Sequence, residues 1–409
     1  MILNPVLIEA SSDAIMIETK LSDLAVGHYV VKIMQQSGNY NLAKPSYIKS
    51  QQVIEKLACK GVQTVLIDPD RTLHQSVLPV ATSAIQANDK ISRHQLIKAD
   101  VLRAKMIFDD SKAISAKVFN DVQSGRDIEL APVLAITETA MKEVFKNSSA
   151  LACVINIREK DHYLLEHSVS VSVLMCIFAR HLGIDPTTTH QLAIGAFLHD
   201  IGKIKVPDHI LNKPGKLTDD EFEVMKTHVN HSIDAIEKPP NISPLSLSVA
   251  AQHHEKLDGN GYPFKLNADD ISLYGRMISI CDIFDALTAN RVYKAGYSHI
   301  KSFSILRSLA KLNHLDSDLV DKFIKCMGVY PVGSLVELHS HKLAIIEEHN
   351  ADDPTRPLVK TFYDVDQKGY QAAKSIDLTC DDDFIVKGVR PDDFNLDMNQ
   401  IVEFLLKQG

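Results

Sequence analysis

The sequence lacks the features of several classes of protein. No apolar run approaches the roughly 20 residues that a membrane-spanning helix needs, so we expect no membrane partner. The N-terminal residues contain neither a basic leader nor a long apolar core, which predicts a cytoplasmic protein rather than a secreted one. The six cysteines are scattered and form no CxxC pair, a pattern that is typical of reduced thiols rather than of a disulfide framework.

The sequence also lacks an excess of positive charge. Its 44 lysines and arginines are outnumbered by 52 aspartates and glutamates, which gives a formal net charge of −8. This balance disfavours non-specific binding to nucleic acid, and we expect no DNA partner. A local basic pocket for a phosphate ligand remains compatible with it. There is no internal repeat and no low-complexity tract.

A chain of 409 residues is long enough for two or three domains. The alternation of strand-like and helix-like patterns predicts a multidomain α+β protein. We expect a small α/β module over residues 1–90, a helical connector over 91–150, an all-α domain over 151–330 and a small β unit over 331–409. The first 150 residues offer no chemistry that can be inferred from their sequence.

Start signals for helices are clear in the third segment. Asp185 followed by Pro186 predicts a capped helix start, because aspartate accepts from free backbone N–H groups and proline needs no partner there. Thr218 and Glu221 have the spacing of a capping box. Gly183 predicts the end of the helix before them.

Histidines and aspartates interrupt the apolar stretches of this helical segment. Any one of them alone is more often structural than functional. Together they form a set in which unpaired polar side chains would be costly to bury. The set is His167, His199, Asp200, His228, His253, His254 and Asp282.

These residue types indicate a metal centre with more than one ion. Imidazole and carboxylate suit divalent ions such as iron, manganese or zinc, whereas thiolate sites use cysteine. One ion takes about three or four protein ligands, so seven candidates favour two ions that share a bridging carboxylate. Two such ions are a known apparatus for the hydrolysis of phosphodiesters.

Two motifs carry a resemblance to a known family. The segment "HDIGK" at residues 199–203 is followed by "HHEKLDGNGYP" at residues 253–263, with His167 upstream and Asp282 downstream. This arrangement resembles the HD-GYP family, the branch of the HD phosphohydrolases that cleaves cyclic dinucleotides. The similarity covers about residues 151–330. The N-terminal module more loosely resembles an uncharacterised domain that often precedes HD-GYP in bacterial proteins.

The resemblance implies a set of metal ligands. Two divalent ions are expected, iron or manganese first and zinc, nickel or cobalt as alternatives. The first ion's ligands match His167, His199, Asp200 and Asp282, with Asp200 bridging; the second ion's match His228 and His253, and His254 matches a further ligand that some members use.

The resemblance also implies catalytic and substrate-binding roles. Asp200 and Lys203 are expected to act in catalysis, with Lys203 near the scissile phosphate. Arg291 and Lys294 match basic residues that hold the ligand's phosphates, and Tyr262 matches the tyrosine that lines the substrate cleft. The implied activity is hydrolysis of cyclic di-GMP to pGpG, with further cleavage to GMP left open, by a hydroxide that the two ions activate.

One departure from the family bears on the number of ions. Some members place a glutamate four residues before the histidine at 167, where it binds a third ion, but this chain has Tyr163. A phenol is mostly neutral at pH 7, so two ions are predicted.

Other functions remain open at this point. They are a cyclic-dinucleotide receptor without turnover, a phosphodiesterase for another cyclic dinucleotide such as cyclic GMP-AMP, and a generic HD phosphohydrolase. A homodimer or a signalling-protein partner is also compatible with the sequence.

Overall fold

The structure is a computed structural model that describes residues 16–26, 28–38, 42, 45–48, 51–68, 89–155, 163–289, 296–350 and 353–408. The chain divides into two compact units. The first comprises residues 1–87 with 377–382, and the second comprises residues 88–376 with 383–409. Within the described ranges, every helix is too short or too polar to cross a bilayer.

In its described residues, the first unit is a four-stranded antiparallel sheet with one α-helix. Its strands lie in the order β1-β4-β2-β3. Val30, Val65 and Leu57 are buried in its core, which is the α/β packing that the sequence predicts. The elements are β1 (Ile17–Lys20), β2 (Tyr29–Gln36), β3 (Ser46–Tyr47), α1 (Gln51–Cys59) and β4 (Val62–Asp68).

The second unit begins with ten helices among the described residues. They are α2 (Asp89–Gln123), α3 (Leu130–Ile155), α4 (Tyr163–His181), α5 (Pro186–Leu198), α6 (Asp208–Leu211), α7 (Asp219–Ile236), α8 (Pro244–Gln252), α9 (Leu273–Thr288), α10 (His299–Lys311) and α11 (Ser317–Met327). One continuous hydrophobic core runs from Ala104 on α2 to Met327 at the end of α11. The predicted connector helices therefore share their core with the helices that carry the histidines.

The start signals of the sequence are confirmed at these helices. The Asp185 carboxylate accepts from the Thr188 backbone N–H at 3.0 Å, one turn into α5. Thr218 and Glu221 form the reciprocal capping box at the start of α7. Local hydrogen-bonding chemistry thus fixes where both helices begin.

The second unit ends in a five-stranded sheet and a short helix. The strands are β5 (Leu335–Leu338), β6 (Lys342–Glu348), β7 (Leu358–Asp364), β8 (Gly369–Asp377) and β9 (Ile385–Val389), in the order β8-β7-β6-β5-β9. Helix α12 (Met398–Gln408) packs its Met398 and Ile401 into the core of this sheet, beside Phe362. The expected α+β architecture is confirmed, and α12 is an addition to the predicted β unit.

Candidate metal centre

The seven residues of the metal set come from the ends and the interiors of five helices that pack on one another. His199 and His253 are the residues that cap the C-terminal ends of α5 and α8, and Asp200 and His254 directly follow them. His167 lies on α4, His228 on α7 and Asp282 on α9. Because α5 and α8 both end at the same place in the core, their last residues meet the side chains of α4, α7 and α9.

Gly202 explains how the segment after Asp200 comes so close to α7. A Cβ atom at this position would lie 2.0 Å from the His228 carbonyl oxygen and 2.4 Å from the Ser232 backbone nitrogen. The Gly202 N–H also donates to the Ser232 hydroxyl at 2.9 Å. Only glycine allows this approach, which places His228 beside Asp200.

Four imidazoles present the same ring nitrogen to the centre. The Nδ1–H groups of His199, His228 and His253 donate to the backbone carbonyls of the residues three positions earlier, at 2.7, 2.6 and 2.6 Å. His167 Nδ1 lies 2.7 Å from a carboxylate oxygen of Asp285. An acceptor at Nδ1 fixes the proton there, so each Nε2 keeps its lone pair for a metal ion.

The two carboxylate oxygens of Asp200 face different pairs of histidines. Oδ2 lies 3.2 Å from His167 Nε2 and 3.4 Å from His199 Nε2. Oδ1 lies 3.4 Å from His228 Nε2 and 3.7 Å from His253 Nε2. Asp200 thus stands between two groups of nitrogen donors, as a carboxylate shared by two ions would.

The donor set fits divalent metal ions. His199 Nε2 and Asp200 Oδ1 are buried and have no hydrogen-bond partner among the described residues. Burying such atoms without a partner is costly, and an ion would satisfy both. Potential ligand atoms within 4.8 Å of one another form three overlapping groups: His167, His199 and Asp282; His199, Asp200 and His253; and His228, His253 and His254.

The carboxylates of the centre are held in the charged form. Burial alone would raise the pKa of Asp200, but the Lys203 ammonium and the neighbouring histidines outweigh burial and lower this pKa well below its usual value. For Asp282, the proximity of His167 and the other histidines likewise overcomes the effect of burial and lowers the pKa. Both side chains are therefore anionic at neutral pH, the form in which a carboxylate binds a metal ion.

The adjacent histidines are held in the neutral form. Burial lowers the pKa of His253 well below its ordinary value, and His254 adds to the effect. Burial also lowers the pKa of His254 to about 3, although a quarter of its side chain, 25%, is exposed. Neutral imidazole is the form that binds metal.

Lys203 and Tyr262 lie at the accessible side of the centre. The Lys203 ammonium forms an ion pair with Asp200, and 18% of the lysine side chain is exposed. The Tyr262 ring lies 4.7 Å from the His254 ring, centroid to centroid. Burial, with the charges of Asp282 and Asp200, raises the pKa of the Tyr262 phenol, which therefore stays protonated.

Glu255 has a different use from the histidines that precede it. Its carboxylate is buried and accepts from the backbone N–H groups of Phe264 at 2.8 Å and Leu266 at 3.0 Å. A Cβ atom at Gly261 would lie 2.7 Å from one of the same carboxylate oxygens. Glu255 therefore holds the loop that carries Tyr262 and is not positioned as a ligand.

Sequence reasoning missed one acidic residue beside the centre. Asp285, fully buried on α9, contacts His167 as described above, and its position three residues after Asp282 was the available signal. Glu166, also buried, lies 3.3 Å from the Lys112 ammonium of α2.

Three predicted positions cannot be placed. Arg291 and Lys294, expected to hold phosphates, lie outside the described residues. Tyr163 is the first residue of α4, but its side chain also lies outside what the structure describes. The roles of these residues stay predictions.

Comparison with family models matches two parts of the chain. A model described as HD domain matches residues 153–319. A model described as a domain of unknown function, DUF3391, matches residues 16–133. The second match agrees with the resemblance of the N-terminal module to an uncharacterised domain.

Several curated relatives are phosphodiesterases. Cyclic di-GMP phosphodiesterase PA4108 of Pseudomonas aeruginosa is 32% identical over 78% of this chain and 78% of that protein. The 3'3'-cGAMP-specific phosphodiesterase 3 of Vibrio cholerae is 38% identical over 38% of this chain and 35% of that protein. Among solved structures, the HDG"Y"P protein Bd1817 of Bdellovibrio bacteriovorus is 18% identical, with a TM-score of 0.46 over 75% of this chain and 98% of that chain.

The helical domain brings histidines and aspartates together around the adjacent residues His199 and Asp200. This arrangement, with the match to the HD domain, defines an HD-type phosphohydrolase, a class of hydrolytic enzymes. Within that class, the two motifs and the long match to PA4108 show that this chain belongs to the HD-GYP family. The family expected from the sequence is confirmed.

Proposed function

We propose that this protein hydrolyses cyclic di-GMP to the linear dinucleotide pGpG with two divalent metal ions. The observation that carries the proposal is the position of Asp200, whose two oxygens face two pairs of histidine Nε2 atoms. Such a carboxylate is suited to bridge two ions.

The same geometry supports a ligand assignment. One ion would be held by His167, His199 and Asp282 and the other by His228, His253 and His254, with Asp200 between them. The nitrogen and oxygen donors favour iron or manganese, with zinc, nickel or cobalt as alternatives. Bound ions of this kind lower the pKa of a water molecule and stabilise the charge that develops on a phosphate. The replacement of a ligating glutamate by Tyr163 supports two ions rather than three.

The chain's own residues would bind and orient the nucleotide. Lys203 stands at the accessible side of Asp200, where its ammonium can donate to a non-bridging phosphate oxygen. Tyr262 forms a wall of the cleft, and we assign Arg291 and Lys294 to the remaining phosphate charge.

The reaction is the addition of one water molecule across one phosphodiester bond. A water oxygen forms a bond to phosphorus, and the bond from phosphorus to the ribose 3'-oxygen breaks. The phosphate stays on the 5' carbon, and the 3'-oxygen leaves as a hydroxyl after it takes up a proton. The histidines around Asp200 have their Nδ1–H groups engaged with backbone carbonyls, so they serve to hold ions rather than to carry protons.

The relatives favour cyclic di-GMP as the substrate. The match to PA4108, whose name is cyclic di-GMP phosphodiesterase, spans 78% of both chains, whereas the match to the cGAMP-specific enzyme covers 35% of that protein. The second candidate substrate is therefore 3'3'-cGAMP.

The test is turnover by the purified full-length protein loaded with manganese or ferrous iron. Chromatography should show pGpG forming from cyclic di-GMP, and the Asp200→Asn protein should form none. Tight binding of cyclic di-GMP without any product would support a receptor and contradict the proposal. Faster turnover of 3'3'-cGAMP would leave the reaction standing and replace the substrate.

A further inference from the structure

An aromatic corner adjoins the metal centre on its accessible side. It consists of Phe222, Lys226 and Tyr262. The rings of Phe222 and Tyr262 lie 6.2 Å apart and are nearly perpendicular, at 87°. The Lys226 ammonium lies 4.9 Å from the Phe222 ring centroid and 5.7 Å from that of Tyr262. The Lys226 ammonium is thus within cation–π distance of both rings.

The aromatic corner is continuous with the metal centre. Tyr262 contacts the aromatic corner through Phe222 and the centre through His254, whose ring lies 4.7 Å away. The side chain of Phe222 is 43% exposed, so a ligand that reaches the centre can also cover this ring. An isolated exposed phenylalanine is ordinary. This one lies next to Tyr262, which lines the proposed nucleotide cleft.

The charges at the aromatic corner fit one kind of nucleobase. Lys226 offers a cation and Glu223, 2.6 Å away, offers a carboxylate that is 70% exposed. Guanine presents the acceptors O6 and N7, which lysine or arginine binds in specific contacts, and beside them the donors N1–H and N2–H. Adenine has its N6 amino group, a donor, where guanine has the acceptor O6. An adenine base would therefore place a donor against the Lys226 ammonium, which is itself only a donor.

We propose that the aromatic corner is a guanine site, in which one base of the cyclic dinucleotide stacks against Phe222 and accepts a hydrogen bond from Lys226. Glu223 accepts from the donor edge of the same base. This inference rests on the proposed function and adds to it the base preference of the substrate. The stacking would tolerate any base, and the ammonium provides the discrimination.

The test is a comparison of three substrates on metal-loaded, full-length protein: cyclic di-GMP, 3'3'-cGAMP and cyclic di-AMP. The wild-type protein should have its highest kcat/KM for cyclic di-GMP and its lowest for cyclic di-AMP. Lys226→Met should lower kcat/KM for cyclic di-GMP by about ten- to hundredfold, the effect of one charged hydrogen bond. The same change should leave cyclic di-AMP turnover and the metal content nearly unaltered.

A second pair of variants tests the stacking. Phe222→Ala should raise KM for every substrate by about fivefold or more, and Phe222→Tyr should restore it. The matched controls are Lys322→Met, which removes another lysine from an exposed ion pair, and Phe384→Ala, which removes a ring that is 41% exposed. Neither control should change the kinetics.

The outcomes separate the two proposals. If the wild-type protein hydrolyses cyclic di-GMP but Lys226→Met retains the same preference among the three substrates, the guanine site is wrong and the proposed function stands. A wild-type preference for cyclic di-AMP would also overturn the guanine site. If no cyclic dinucleotide is hydrolysed, the proposed function fails and the base preference fails with it.

Discussion

Asp285 is expected to control how tightly the centre holds metal, although it is not one of the proposed ligands. Its carboxylate oxygen lies 2.7 Å from His167 Nδ1, and both side chains are buried, at 0% and 1% exposure. A hydrogen bond to a charged group of this kind contributes about 1.5–3 kcal/mol. The carboxylate fixes the proton on Nδ1 and raises the basicity of Nε2, the atom directed at the centre.

Asp285→Asn removes the charge and keeps the size of the side chain. The carboxamide oxygen can still accept from Nδ1–H, so we expect the lower part of the usual range for such changes, about a tenfold loss of metal affinity. Asp285→Ala also removes the acceptor and should cost about a hundredfold. The graded loss would show that the effect comes from the hydrogen bond.

The assay is competition for manganese against a chelator of known affinity, followed by thermal unfolding of the metal-free proteins. Asp318→Asn is the matched control, because Asp318 is 76% exposed and pairs only with a surface lysine among the described residues. Unchanged metal affinity in both Asp285 variants would refute the reasoning. Loss of affinity that merely follows a large fall in the unfolding temperature of the metal-free protein would also count against it.

Four further predictions concern the same domain. Asp200→Ala should lower bound metal by more than one equivalent per chain in elemental analysis, because a bridging carboxylate serves both ions; loss of one or none would contradict bridging. Glu255→Ala should raise KM for cyclic di-GMP and lower the unfolding temperature while metal content stays intact, because two backbone N–H groups of the Tyr262 loop lose their acceptor. The metal-free protein should lose stability as pH falls from about 6.5 toward 3, because His253 and His254 take up protons near pH 6.5 in the unfolded chain but only at lower pH in the folded protein. Unfolding temperatures measured across this pH range with a chelator present should fall with pH, and unfolding temperatures that do not change with pH would contradict the prediction. A chain that begins at residue 89 should keep metal and turnover, because the core of the second unit begins on α2; a folded, metal-loaded but inactive fragment would show that the first unit takes part in catalysis.

Much of the fold could be predicted because its signals are local. The Asp185 cap and the capping box of Thr218 and Glu221 depend on residues three positions apart. Strand β8 and helix α12 were not predicted. Strand β8 alternates half-buried and exposed residues and lies at the edge of its sheet, so its apolar signal is weak. Helix α12 is short, and its buried face depends on a sheet that is distant in sequence.

The metal set could be predicted because polar side chains in apolar stretches need partners. The same reasoning does not reach Asp285 or Glu255, since a carboxylate reveals its partner only when the chain is folded. Asp285 meets a histidine 118 positions away. Glu255 stands next to two metal-capable histidines, and only the folded loop shows that its oxygens are taken by backbone N–H groups.

The most direct test of the dinuclear centre is a metal titration in which bound manganese and cyclic di-GMP turnover are measured on the same samples of metal-free protein. The account predicts saturation near two ions per chain, with turnover rising mainly as the second ion binds, because Asp200 has a pair of histidines beside each oxygen. Full turnover at one ion per chain would contradict the account.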